Sequence, residues 1–307
     1  MPRLSPLLRR AGALAAPAAL AAAVATAAGC ASAPALEAET LAAALAQRPN
    51  VLLGEVHDNH AQHALRAQAL RLLLAGGARP ALAFEQFDRD RQAVLDAART
   101  AEPPAGTTRV DHLIEQAGAR GWDWPLYRPY LELALQYDLP IVAANLSRAQ
   151  AGQVIRDGYA SVFDAAARAR LGLERLPEEF LAAHARAVGD GHCNLLSPES
   201  AARLARAQIA RDALLAEAIR PHLNGRGVVL LTGNGHARND IGVPFFLDAA
   251  ERARTLTIGL VERDSGSPLA GAARQRRFDR HFVTPAQPRP DPCEPLRRSG
   301  QLGPAAR

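Results

Sequence analysis

Val228-Val229-Leu230-Leu231-Thr232-Gly233-Asn234-Gly235-His236-Ala237-Arg238 is an unbroken apolar run that stops at a glycine-flanked polar cluster. An aliphatic, β-branched run closed by glycine predicts a strand buried on both faces. The two glycines let the backbone turn sharply and let other atoms come close to it. The same pattern occurs early in the chain as Val51-Leu52-Leu53-Gly54-Glu55-Val56-His57. Two buried strands therefore end in Gly-x-x-His, and the two ends are expected to meet in one site.

Working outward, residues 80–85, 139–144 and 255–261 read as further buried strands, with helical patterns between them at 37–47, 61–74 and 89–99. Strands separated by helices imply an α/β fold, a mainly parallel sheet flanked by helices on both faces. Residues 147–223 carry no strand signal. Helical patterns broken by Gly158, Gly172 and Pro177 predict a small all-helical insertion there, its last helix opening at Ser197-Pro198 with serine as N-cap. The expected organisation is an α/β domain from 30–146 and 224–284, the insertion 147–223, and a Pro-rich tail 285–307. That tail is expected to be irregular apart from a tether through Cys293.

Residues 1–29 read as a secretory signal, with Arg3, Arg9 and Arg10 ahead of an alanine-rich apolar run. Ala27-Ala28-Gly29-Cys30 has the small residues of a lipobox, so Cys30 is the expected lipid anchor. Alanine at position 31, rather than aspartate, points to the outer membrane, with the protein facing the periplasm. Removing the leader takes three arginines and no acids, leaving 33 arginines against 31 acidic residues. The near-balance argues against nucleic acid as a partner. In an oxidising compartment Cys193 and Cys293 are expected to form a disulfide.

In parallel sheets ligands bind at the carboxyl ends of the strands. The polar residues at those ends are Glu55 and His57, Glu85, Asn145, and His236 with Arg238. His57, Glu85 and His236 make a two-histidine, one-carboxylate set suited to a divalent metal with an open position. Glu55 is then the candidate general base. Asp212 and Gln208 lie on or beside the apolar face of the last insertion helix and need partners or a site. His60 and His63, on the first helix after β-strand one, are expected at the solvated rim. The segment 121–130, with both tryptophans and two of the four tyrosines, is expected to dock a helix on the sheet, with a ligand platform as the alternative.

The motifs Gly54-Glu55-Val56-His57-Asp58-Asn59, Trp122-Asp123-Trp124-Pro125-Leu126-Tyr127, His192-Cys193-Asn194 and Gly233-Asn234-Gly235-His236-Ala237-Arg238 together resemble the ChaN family. These are haem-binding bacterial lipoproteins of the Tiki/TraB superfamily, and the resemblance spans residues 42–283. It implies haem as ligand, iron uptake as role, and an outer-membrane haem receptor as partner. Gln208, Arg211 and Asp212 resemble a helix motif of the family, making Arg211 and Asp212 ligand-binding candidates beside Asn145 and Arg238. The superfamily's metalloprotease branch shares the paired Gly-x-x-His motifs and a glutamate, here Glu85. A metal-dependent hydrolase, peptidase or esterase, is therefore the alternative. No motif marks the haem-iron ligand: Tyr127, Tyr130, Tyr159, His60 and His184 stay open.

Overall fold

The structure, a computed structural model, describes residues 33–263, 277–291 and 293–299. The leader at 1–29 and Cys30 lie outside the described residues.

Six strands form one parallel sheet: β1 (Asn50–Glu55), β2 (Ala81–Asp88), β3 (Ile141–Asn145), β4 (Val228–Gly233), β5 (Thr255–Glu262) and β6 (Arg280–Thr284), in the order β3-β2-β4-β1-β5-β6. The two strands that end in Gly-x-x-His are neighbours. Their register pairs Gly54 with Thr232 and Glu55 with Gly233. Both are buried along their whole length, which is why their sequences read as continuous rather than alternating apolar runs.

Helices α1 (Ala33–Leu45), α2 (His60–Ala75), α3 (Gln92–Thr100), α4 (Arg109–Ala117) and α5 (Trp124–Gln136) cover one face. Leu41, Leu70, Leu74, Leu113 and Leu131 pack there against Leu53, Phe84, Leu231 and Ile258. Helices α6 (Arg148–Asp157), α7 (Ala165–Arg170), α8 (Glu178–Gly191) and α9 (Pro198–Ile219) follow, then the short α10 (Asn234–Ala237) and α11 (Ala249–Ala253). On this second face Val154, Ile209, Leu215 and Ile219 pack against Leu52, Ala83, Val142 and Leu230. Adjacent strand residues thus feed opposite layers. Leu52 and Leu53 are both 0% exposed, and burying such a side chain contributes about 1.5–3 kcal/mol.

Residues 147–223 hold helices and 3-10 turns without a strand. The α9 helix lies directly on the sheet and supplies much of the second-face core.

Towards the carboxyl end, two features depart from the sequence reading. β6 extends the sheet by an edge strand whose exposed and half-buried residues hide it from an apolar-run search. The tail is irregular over residues 285–291 but then forms α12 (Cys293–Ser299).

Candidate functional site

At the carboxyl edge of the sheet the motif glycines let the ends of β1 and β4 interlock. A Cβ on Gly54 would lie 2.7 Å from Asn234 Oδ1 and 3.1 Å from Ala237 Cβ, so α10 can rest directly on β1. A Cβ on Gly233 would lie 2.7 Å from His57 Cε1, so the imidazole needs that glycine bare.

Glu55 is 2% exposed, and its carboxylate is the hub of one half of the site. Tyr127 Oη donates to Oε1 at 3.1 Å, His57 Nδ1 lies 2.8 Å from the same oxygen, and Arg66 Nη1 is 3.6 Å away. His63 Nε2 is hydrogen-bonded to the carbonyl oxygen of His57 at 3.0 Å and lies 3.0 Å from Glu55 Oε2. Burial alone would raise the pKa of Glu55. The two histidines and Arg66 overcome this and hold it at about 2. An ionised carboxylate only accepts, so His57 Nδ1 carries the proton. His57 Nε2 has no hydrogen-bond partner among the described residues.

His63 is therefore not a rim residue. The first turn of α2 runs over the end of β1, which turns His63 onto Glu55 and leaves His60 exposed. Tyr130 Oη donates to the His63 carbonyl at 3.0 Å. Arg66 went unread as a site residue, His63 was expected at the rim, and Tyr127 was read as an open haem-iron candidate rather than as a partner of Glu55. Arg66 left a signal: it is a charged residue beside Leu65 and one turn from Leu70, on the buried face of α2.

The other half centres on Glu85 of β2. Its Oε2 accepts from Thr232 Oγ1 at 2.7 Å and from the Gly233 amide at 2.8 Å, and its Oε1 lies 3.5 Å from His236 Nε2. His236 Nδ1 is 2.7 Å from Asp212 Oδ1 of α9. Burial would lower the pKa of His236, but Asp212 and Glu85 outweigh it and hold the ring as an imidazolium. Burial would raise Glu85; His236, His57 and the Thr232 hydroxyl instead hold it well below the carboxylate range. Asp212 is shifted upward by burial, with His236 opposing. For His57, the hydrogen bond to Glu55 and the charge of Glu85 outweigh burial and raise its pKa.

His57, Glu85 and His236 thus meet around Gly233. Among the described residues, no group of three or more His, Cys, Asp or Glu side chains is arranged to hold a metal ion. Each histidine gives Nδ1 to a carboxylate, His57 to Glu55 and His236 to Asp212, and one Glu85 oxygen is taken up by β4. Asn145 and Arg211 are joined, Arg211 Nη1 donating to Asn145 Oδ1 at 2.8 Å and to the Leu146 carbonyl at 3.0 Å. Arg238 stands apart from the cluster, its guanidinium paired with Asp240. Cys193 and Cys293 are brought together, with Cα atoms 5.7 Å apart, a span a disulfide bridges.

Two hollows open beside this centre. The larger, a cleft of about 860 Å³, is lined among others by His57, Trp122, Tyr127, Asn145, Arg148 and Arg211. The Trp122 ring meets the His57 ring edge-on at 4.9 Å. The smaller, about 230 Å³, lies on the far side of His236 and is lined by His184, His192, Gln208, Asp212 and His236.

The family model for haem-binding uptake proteins, Tiki superfamily, ChaN, matches residues 41–247. The chain belongs to the ChaN family. Among solved structures it resembles ChaN of Campylobacter jejuni, described with cofacial haem binding. The identity is 18%, covering 78% of this chain and 89% of that one, at a TM-score of 0.60. That likeness bears out the α/β architecture. An erythromycin esterase mutant, EreC, in its open conformation matches at 14% identity over 75% of this chain and 76% of its own, with a TM-score of 0.40. A Bacillus cereus protein matches at 14% identity over 73% and 75%, with a TM-score of 0.34. No curated protein matches the chain.

In this ChaN-family chain the family match covers α2 through α10, and so contains every residue of the Glu55 and Glu85 centres. It ends before β5, β6 and the tail. That last part adds a further tie at the same edge: Glu262, at the end of β5, accepts from Asn59 Nδ2 at 2.7 Å and from Arg289, which also forks onto Asp58. The tail is thereby fastened next to His57.

Proposed function

We propose that this chain is a haem-binding lipoprotein of bacterial iron uptake, with haem held in the larger cleft at the carboxyl ends of the strands. The observation that carries the reading is the make-up of that cleft. Haem joins a broad apolar ring to two carboxylates. The cleft has the aromatic Trp122 together with Arg120, Arg148 and Arg211 on its lining. Guanidinium groups suit carboxylates because they can bind them in a two-point fork. Arg211 is fixed to Asn145 and Leu146 through Nη1 alone, which leaves its other donors for a ligand. Asp88 and Asp123 also line the cleft, and Asp58 is occupied by Arg289. The lipobox at Cys30 supports an outer-membrane, periplasm-facing anchor, with an outer-membrane haem receptor as the membrane partner.

The test is a haem titration of the protein from Cys30 onward, followed at the Soret band, on the wild type and on Arg148→Ala/Arg211→Ala. Saturable binding that weakens in the double variant supports the reading. A wild type that gives no Soret shift overturns it. Incorporation of labelled palmitate, abolished in Cys30→Ser, tests the anchor.

A second reading, a hydrolase centred on Glu85, is favoured by the buried Asp212–His236 pair set against Glu85 and beside His57. A divalent cation there would draw on His57, Glu85 and His236. Metal analysis of protein purified without chelator, with ester and peptide assays, tests it. No bound metal, together with activity unchanged in His236→Ala, rejects it.

A further inference from the structure

We infer that the hollow between the C-terminal ends of α1 and α2, with the arginines on its rim, is a docking surface for the anionic phospholipids of a bilayer. It encloses about 570 Å³ and lies at the amino-terminal edge of the sheet, where Pro49, Pro80 and Arg226 lead into β1, β2 and β4. The haem cleft opens at the opposite edge, so the two surfaces are separate.

The lining has an apolar part and a cationic part. Val51, Leu72, Leu73 and Val229 form an apolar wall, and Arg48 and Arg226 are the only charged side chains on it. Leu72 is 39% exposed, one of four large hydrophobic residues left so open among the described residues, and Leu36 of α1 is another. The backbone brings the two arginines together. Gly227 has a φ of +86°, the left-handed region that favours glycine, and a Cβ there would lie 2.0 Å from the Pro49 carbonyl oxygen. That oxygen accepts from the Val228 amide at 3.1 Å. The turn carrying Arg226 is thereby seated on the residue after Arg48.

Arg71, Arg79 and Arg254 are exposed around the same rim. None of these five arginines forms an ion pair among the described residues. Asp138, beside the Tyr137 ring that Arg79 covers, and Glu251, one turn before Arg254, are paired with Arg99 and Arg220 instead. Capping of main-chain carbonyls uses Nη1 alone of Arg48 and of Arg79, and Arg226 has no hydrogen-bonding partner among the described residues. Exposed cations without acids, set around an apolar hollow, match the two halves of a phospholipid. Guanidinium forks suit its phosphate, the apolar wall suits its acyl region, and an anionic bilayer attracts each arginine near its surface. The exposed acids of α1, Glu37 and Glu39, are confined to its first two turns, away from the rim.

The experiment sediments the mature chain carrying Cys30→Ser, which has no lipid tether, with vesicles of phosphatidylcholine alone or mixed with phosphatidylglycerol. The protein should bind the mixed vesicles and not the neutral ones, and salt should weaken that binding. Arg48→Ala/Arg226→Ala should reduce partitioning about 30-fold, whereas Arg203→Ala/Arg206→Ala, exposed on α9 beyond Asp212, should change it little. Brominated phosphatidylglycerol should quench the added emission of Leu72→Trp and leave the emission of the unsubstituted chain unchanged. Circular dichroism checks folding; should the Arg48/Arg226 variant not fold, the quenching of Leu72→Trp still decides. Binding to neither vesicle, equal binding to both, or equal weakening by the two arginine pairs overturns the docking surface. So does a dimer that Leu72→Asp dissociates without any vesicle binding, which would give the hollow to a second copy of the chain. If palmitate is not incorporated at Cys30 while vesicle binding holds, the anchor falls and this surface stands.

Discussion

His184 gives the sharpest stability prediction. It is 3% exposed, with its ring edge-on to Phe180 at 4.6 Å and its Nε2 without a partner. Burial pushes its pKa down to about 4, helped by the charges of His236 and Arg238 and opposed by the backbone carbonyl of Ile241. In the unfolded chain the same ring takes its proton near 6.5. As acid is added, the unfolded state binds that proton first. Stability is therefore full above about pH 6.5 and drains away between there and about pH 4. At one pKa unit per 1.36 kcal/mol, the loss from this ring is about 2 kcal/mol at pH 5 and about 3 kcal/mol at pH 4. A domain stable by about 5–15 kcal/mol would register that clearly. His184→Phe removes the titration and places a ring beside Phe180, next to a hollow that can take its volume. Urea unfolding followed by tryptophan fluorescence, near pH 7.5 and near pH 5, should show the wild type losing about 2 kcal/mol more than the variant. Asp212, shifted upward by burial, pulls the other way in both proteins and cancels from the comparison. Equal losses in the two proteins would refute the premise that His184 is buried neutral.

Other outcomes follow from the same geometry. Cys193→Ser/Cys293→Ser opens a loop spanning 100 residues and should cost about 2–4 kcal/mol of unfolding free energy; an unchanged urea midpoint would show that the two cysteines are not paired. Glu85→Ala leaves the Thr232 hydroxyl and the Gly233 amide without their acceptor and the His236 imidazolium with Asp212 alone, a loss of about 3–5 kcal/mol, read as a lowered thermal midpoint. Gly233→Ala puts a methyl group 2.7 Å from His57 Cε1. Because the half-exposed ring can swing aside, thermal melting should barely change while haem titration weakens; a titration equal to that of the wild type would show that the position of His57 does not matter.

The strands that carry the site were legible because burial on both faces leaves an unbroken apolar run, and because each run stops at a glycine. Gly54 and Gly233 stand where another chain segment comes within van der Waals reach of the backbone, and that demand is written in the residue type itself. Close approach is thus visible in one dimension. β6 was invisible for the opposite reason: at the edge, Arg280 is exposed, His281 is half-buried and no apolar run forms. The short α4 helix, flanked by the Pro/Gly stretch at 103–106, was likewise passed over.

Direction is the harder quantity. Arg238 is two residues from His236, yet its guanidinium turns to Asp240, because a charge pairs with the nearest opposite charge its backbone allows. Asp212 is 24 residues from His236 and reaches its Nδ1, because α9 lies across the sheet and aims a carboxylate at the end of β4. The two histidines make the point together. Each gives Nδ1 to a carboxylate, Glu55 in one case and Asp212 in the other. The first pair spans two residues along one strand end; both were read as site residues, as base and metal ligand rather than as partners. In the second, Asp212 was read as a polar residue near an apolar helix face that needed a partner, and as a ligand-binding candidate by resemblance, but not as the partner of His236. What the two carboxylates do differs for a physical reason that no spacing conveys. Glu55 faces several donors, including a buried arginine, and stays ionised, so it leaves His57 half-exposed with its Nε2 edge turned outward. Asp212 and Glu85 close on His236 from both sides and hold that ring as a cation. One motif, used twice, thus yields a half-exposed histidine on the cleft and a histidine enclosed by two carboxylates.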